Sequence, residues 1–321
     1  MVNFFSKNKS MVNLIIHPGF AKTGTTFFQE IILPNVKKTI SIGKPYRNRI
    51  NIKKFLYNKK KIPNKKDFSE FIERLNSILK KNEIKNIILS DESILDYEFY
   101  DPERNIKFLK IFISELKKKN KINLIFLLST RRQEDLLISR YAYLYPRLKK
   151  RYPQFIDYIE NSNINKKKFF DLLKYNQTAK KLKYLFKCKI VFLPLEYLEF
   201  SPKIYISIIN RLFGSKIDSK IFPQKKINEN KYKNKNTLKI GNLWFNMYYY
   251  LYSSKKIKKI TNRFKKNLIY NFTRNVIYKN IKFDKSKNSY SLDESLRNKI
   301  QKIYHKDNKR LNFYKDIFLK K

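Results

Sequence analysis

Between Leu14 and Glu30 the chain reads LIIHPGFAKTGTTFFQE, and this stretch restricts the possible folds more than any other. Leu14, Ile15 and Ile16 form a short apolar run, rich in β-branched residues and halted by Pro18 and Gly19. That is the pattern of a buried strand. From Thr25 onward Phe27, Phe28, Ile31 and Ile32 recur at helical spacing, so a helix starts at the turn. A turn of this kind presents its backbone N–H groups, the hydroxyls of Thr23, Thr25 and Thr26 and the Lys22 ammonium to one small volume. Such a volume suits a phosphate or a similar oxyanion.

The chain goes on alternating in the same way. Asp67 and Glu70 open a helix over Asp67–Lys81, with Phe68, Phe71, Ile72, Leu75 and Ile78 as its apolar stripe. Asn86–Ser90 reads as a second buried strand, followed by the acidic loop Asp91-Glu92-Ser93. Pro102 opens a helix to about Lys119. A third strand, Ile122–Leu128, runs into Thr130-Arg131-Arg132 and then a helix through about Tyr145. A long helical stretch near Phe169–Phe186 precedes a fourth strand, Ile190–Phe192, and a helix over Ser201–Phe213 stopped by Gly214. The expected fold is therefore α/β, a P-loop-like three-layer arrangement with a central parallel sheet flanked by helices. In such sheets ligands bind at the carboxyl ends of the strands. Lys22, Glu92 and Arg131 follow the first, second and third strands respectively.

Beyond about Phe222 the sequence turns Lys/Asn-rich and strands give out. Trp244, Phe245, Tyr248, Tyr249, Leu251 and Tyr252 suggest an aromatic helix, and Ser291 with Glu294 forms a capping box for a last helix to about Asp316. One domain over 1–321 is expected, with a core at about 11–222 and a helical C-terminal extension at about 223–321.

The net charge of +47 invites a nucleic-acid reading. The excess is spread along the whole chain, however, and accompanies abundant Asn, Ile, Phe and Tyr, residues favoured with Lys by A/T-rich codons. No zinc-finger, helix-turn-helix or RNA-recognition pattern accompanies it. A non-catalytic, basic nucleic-acid-binding protein stays as the alternative from another class, marked by salt-sensitive binding. A single cysteine, Cys188, offers neither a disulfide framework nor a metal set. No apolar run approaches a membrane span, and the N-terminus lacks a signal-peptide core. The expected location is the cytoplasm, with peripheral contact to the anionic inner membrane surface open to so basic a protein.

The order of residues in the turn narrows its ligand. A Walker A loop, as in a P-loop kinase, places lysine directly after the second glycine, and here Lys22 precedes Gly24. His17 through Thr26 instead fits H-x-G-x-x-K-T-G-T-T and resembles the 5′-phosphosulfate loop of the sulfotransferases. These use 3′-phosphoadenosine-5′-phosphosulfate (PAPS) as sulfuryl donor. The resemblance implies that Lys22, Thr23, Gly24, Thr25 and Thr26 hold the 5′-phosphosulfate. It further implies that Arg131 and Ser139, eight residues apart, hold the 3′-phosphate, with Arg132 as rival to Arg131. Lys22 would contact the bridging oxygen without a metal, and Glu92 would be the general base, with Asp91 and His17 as rivals. His305 reads as a surface residue. Leu195-Glu196-Tyr197-Leu198 is similar to a family turn and implies a bracing role for Glu196. Tyr304–Tyr314 looks like the end of bacterial glycan-type enzymes, which implies a carbohydrate or glycolipid acceptor. The acceptor pocket is expected from the loops around Lys44–Tyr57 and Tyr143–Tyr158 and from the C-terminal third.

Overall fold

The computed structural model describes residues 11–43, 52, 65–81, 83–96, 102–148, 152, 154–160, 164–218 and 294–313. Its centre is a sheet of five strands: β1 (Val12–His17), β2 (Thr39–Ser41), β3 (Asn86–Ser90), β4 (Ile122–Thr130) and β5 (Lys189–Pro194). All neighbours pair in parallel, in the order β2-β3-β1-β4-β5. The fold is α/β, as the alternation of strand and helix signals predicts. β1 lies between β3 and β4, with Ile16 opposite both Leu89 and Phe126. The connection from β1 runs to β2 on one side and that from β4 runs to β5 on the other, so the carboxyl ends of β1 and its neighbours form the switch point where such sheets bind ligands.

The strands read as unbroken apolar runs because helices cover both faces of the sheet. On one face Leu14, Ile16, Leu89, Phe126 and Leu128 pack in a single core. The stripes of α2 (Lys65–Lys81), α3 (Pro102–Lys119) and α7 (Tyr175–Phe186) join them there. The other face is covered by α1 (Thr25–Phe27) and by α9 (Pro202–Phe213), which follows the short α8 (Tyr197–Phe200). Phe28, just past α1, lies against Phe213, and Asn86 Nδ2 donates to Phe213 O at 3.1 Å.

Several expectations are corrected. The stretch Phe169–Phe186 is two helices, α6 (Ile164–Leu172) and α7, separated at Leu173 and Lys174. Thr178 closes that corner by donating to Leu172 O. β2 is too short to leave a periodic signal, which raises the strand count from four to five. After Phe27 the chain opens into a π-helical turn, Phe28–Ile32, and a 3-10 turn, Leu33–Asn35, instead of a plain α-helix. The last helix, α10 (Glu294–Asn308), ends well short of Asp316. The aromatic stretch Trp244–Tyr252, and all of Lys44–Tyr57 except Ile52, lie outside the described residues.

The chain divides into two compact units. The first contains the sheet, the opening of α4 (Gln133–Leu148) up to Leu136, and α10 from Ile300. In the second, the rest of α4 packs with α5 (Phe155–Glu160) through Tyr141, Phe155 and Tyr158, and Tyr141 donates its hydroxyl to Tyr152 O.

Candidate functional site

The turn after β1 is shaped by its backbone. Gly19, Lys22 and Gly24 have φ of 94°, 72° and 77°. Left-handed residues of this kind occur in anion nests. Gly24 suits its place twice over: its φ favours glycine, and a Cβ there would sit 2.6 Å from Leu195 Cδ1. Lys22 has no such freedom and carries a strained backbone, a cost of about 1–3 kcal/mol that the surrounding contacts must offset. Some of those contacts are local. Thr23 donates its hydroxyl to Phe20 O, and Phe28 N–H closes on Gly24 O at 3.0 Å. Thr23 and Thr25 are buried, Lys22 and Gly24 half-buried, and Thr26 exposed. The Thr23 hydroxyl proton is therefore engaged in bracing the loop.

The three candidate bases occupy distinct surroundings. His17 ends β1 and is fully buried, its Nδ1 2.7 Å from Ser90 Oγ and its Nε2 2.7 Å from Ser129 Oγ. Burial lowers its pKa from 6.5 to about 4, although the Glu92 charge opposes the shift. The imidazole is neutral near pH 7 and ties the ends of three strands together. Asp91 is also fully buried, and its carboxylate accepts from Ser93 N–H at 3.0 Å and Ser93 Oγ at 2.7 Å. It caps the 3-10 turn Glu92–Ile94. Glu92 alone of the three is partly exposed. Its backbone is set against the loop, because a Cβ on Gly19 would lie 3.3 Å from both Glu92 Cα and Cβ.

Arg131 leaves β4 on the other side of β1. Its Nη1 donates to Lys22 O at 3.2 Å, so loop and arginine are joined directly. Tyr175 OH donates to Arg131 O at 2.7 Å. The next residue is held as well: Arg132 N–H donates to Glu196 Oε1 at 2.7 Å, and its guanidinium lies 5.9 Å above the Phe200 ring. Burial raises the Glu196 carboxyl, against the pull of those N–H bonds and of Arg131 and Arg132. Glu196 thus holds the backbone of Arg132. Ser139 is buried on α4, in the part belonging to the second unit.

Residues without a sequence signal complete the arrangement. Gln133 exchanges paired amide bonds of 2.9 and 3.0 Å with Asn308, and Asp307 accepts the N–H groups of Asn176 and Gln177 at the start of α7. Gln29 donates to Ser90 Oγ at 2.9 Å and to Glu92 Oε1 at 3.4 Å. Ser90 ends the apolar strand β3 opposite His17, and Ser129 follows the apolar run Leu124–Leu128, so both carry a sequence signal. Among the described residues no cluster of His, Cys, Asp and Glu could hold a metal, and no helix is long and apolar enough to cross a membrane. His305 is exposed, near the end of α10.

No family model matches the chain, and no curated protein matches it.

Proposed function

We propose that this protein is a PAPS-dependent sulfotransferase acting on a hydroxyl or amine of a carbohydrate or glycolipid. The observation that carries the reading is the direct joining of three stations at the switch point. Arg131 donates to the carbonyl of Lys22 within a left-handed anion loop, and Glu92 packs against the same loop at Gly19. When bound, PAPS supplies an activated sulfuryl group on a phosphate leaving group. The loop N–H groups and Lys22 hold the 5′-phosphosulfate and meet the charge that grows on the bridging oxygen as the S–O bond breaks. Arg131 offers a planar fork to the 3′-phosphate. Glu92 takes the proton of the acceptor as its oxygen or nitrogen bonds to sulfur. His17, neutral and bonded at both ring nitrogens, supports the crest without exchanging protons with the acceptor.

The basic surface would draw the dianionic donor, and an acceptor at an anionic membrane, toward the site. A thermal-shift comparison of 3′-phosphoadenosine-5′-phosphate (PAP), ATP and buffer tests the class. Selective protection by PAP is expected. Equal protection by ATP would favour a kinase, and salt-sensitive RNA binding with no nucleotide effect would favour the nucleic-acid alternative.

A further inference from the structure

We infer that Gln29 positions Glu92, so that the segment leaving the anion loop also sets the direction of the base; the inference rests on the sulfotransferase reading. Gln29 is 6% exposed and lies in the π-helical turn, five residues beyond Gly24. Its amide nitrogen carries two N–H groups in a fixed plane. One reaches Ser90 Oγ at 2.9 Å, the other Glu92 Oε1 at 3.4 Å. The first anchor does not move easily, because Ser90 is tied through His17 to Ser129 across β3, β1 and β4. The Glu92 backbone is fixed on its other sides by the close approach of Gly19 and by the Asp91 cap. The carboxylate itself receives the second N–H of Gln29, which bears on its direction.

The two bonds differ in length. At 2.9 Å the anchor is ordinary, whereas 3.4 Å is long for an N–H···O bond. Catalytic hydrogen bonds of this kind tighten when the substrate is in place. Gln29 follows directly on Phe28, whose N–H closes the loop onto Gly24 O. An anion that orders the loop therefore also orders the donor that aims Glu92.

Crystal structures of the wild type and Gln29→Met read the contact without any substrate. A Glu92 carboxylate turned away in the variant supports the inference, and one left in place overturns it. Turnover of radiolabelled PAPS, with water in place of the acceptor to give PAP and sulfate, reads the consequence. Gln29→Met should lower kcat by about 10- to 100-fold, the scale of a misplaced catalytic group, and leave KM for PAPS within about twofold. In a Glu92→Gln background the same change should cost nothing further, since the two residues act as one unit. Losses that multiply, or a loss in KM alone, would overturn the assignment. Gln29→Asn keeps the amide but is one methylene too short to span Ser90 and Glu92, and takes the same measurements if the Met variant does not fold. PAP protection of the wild type is read separately: its absence removes the sulfotransferase reading, while the paired crystal structures still decide whether Gln29 aims Glu92.

Discussion

The two proposed anion stations at the head of the sheet are built in opposite ways. The loop after β1 is shaped largely from within: three left-handed residues, the Thr23 hydroxyl on Phe20 O and the closing bond to Gly24 O all lie within a dozen positions. The exit from β4 is shaped from afar. Arg131 is steadied by Tyr175, Arg132 by Glu196 and Gln133 by Asn308, at separations of 44, 64 and 175 residues. A locally built loop can be lost only by changes inside it or against it. A remotely braced arginine can be loosened from almost anywhere in the second half of the chain.

The sharpest way to break this contrast is to remove chemistry from the loop side while leaving its shape. Glu92→Gln should lower kcat for PAPS turnover by about 10²–10⁴-fold, the usual worth of a general base, with PAP affinity nearly intact by calorimetry. Normal turnover in Glu92→Gln, with Asp91→Asn or His17→Asn dead, would move the base. Lys22→Ala should cost about 10²–10³-fold in turnover, the worth of one donor to a developing charge, with the urea midpoint hardly changed. A mutant turning over near-normally would remove Lys22 from the chemistry.

His17 gives the loop side a pH signature. Its pKa of about 4 lies below the ordinary 6.5, so the unfolded chain binds more protons between those values. The contribution is complete above pH 6.5 and is lost as pH falls toward 4, about 3 kcal/mol in all. Urea unfolding at pH 7 and pH 4 should show this loss in the wild type and a smaller one in His17→Asn. Equal losses would mean that His17 is not the group responsible.

On the remote side the expected effects are smaller and selective. Arg131→Ala should weaken PAP by about 1.5–3 kcal/mol, the range for a hydrogen bond to a charged group. Adenosine 5′-phosphosulfate, which lacks the 3′-phosphate, should be nearly unaffected, and equal losses for both would contradict the assignment. Tyr175→Phe removes only the hydroxyl that donates to Arg131 O and should cost about 0.5–1.5 kcal/mol of PAP affinity in the same selective pattern. If it weakens both nucleotides alike, the arginine is not braced independently of the loop.

The same contrast explains what the sequence discloses. The β-branched runs at Leu14–Ile16 and Asn86–Ser90 and the glycines of the loop are local signals, so strands, turn and sheet class can be read directly. The positions of Lys22, Glu92 and Arg131 follow from strand order alone. What stays hidden is non-local or small. Asp307 capping α7 and Asn308 pairing with Gln133 require knowledge of partners more than 100 residues away. β2 spans three residues, and a single corner at Leu173–Lys174 splits what periodicity joins. Gln29 reads as an ordinary polar residue on a helix until the turn around it is known to face Ser90 and Glu92.

The pairing of Gln133 with Asn308 also orders events in time. At about 5–20 residues per second, Asn308 leaves the ribosome roughly 10–35 s after Gln133. Throughout that interval β1, its loop and β3 already exist in the nascent chain, while the brace behind Arg131 does not. A ribosome-stalled chain ending before α10 would carry the loop proposed for a 5′-group without the clasp that steadies the segment proposed to read the 3′-group. On the proposed reading, full recognition of the donor waits on α10.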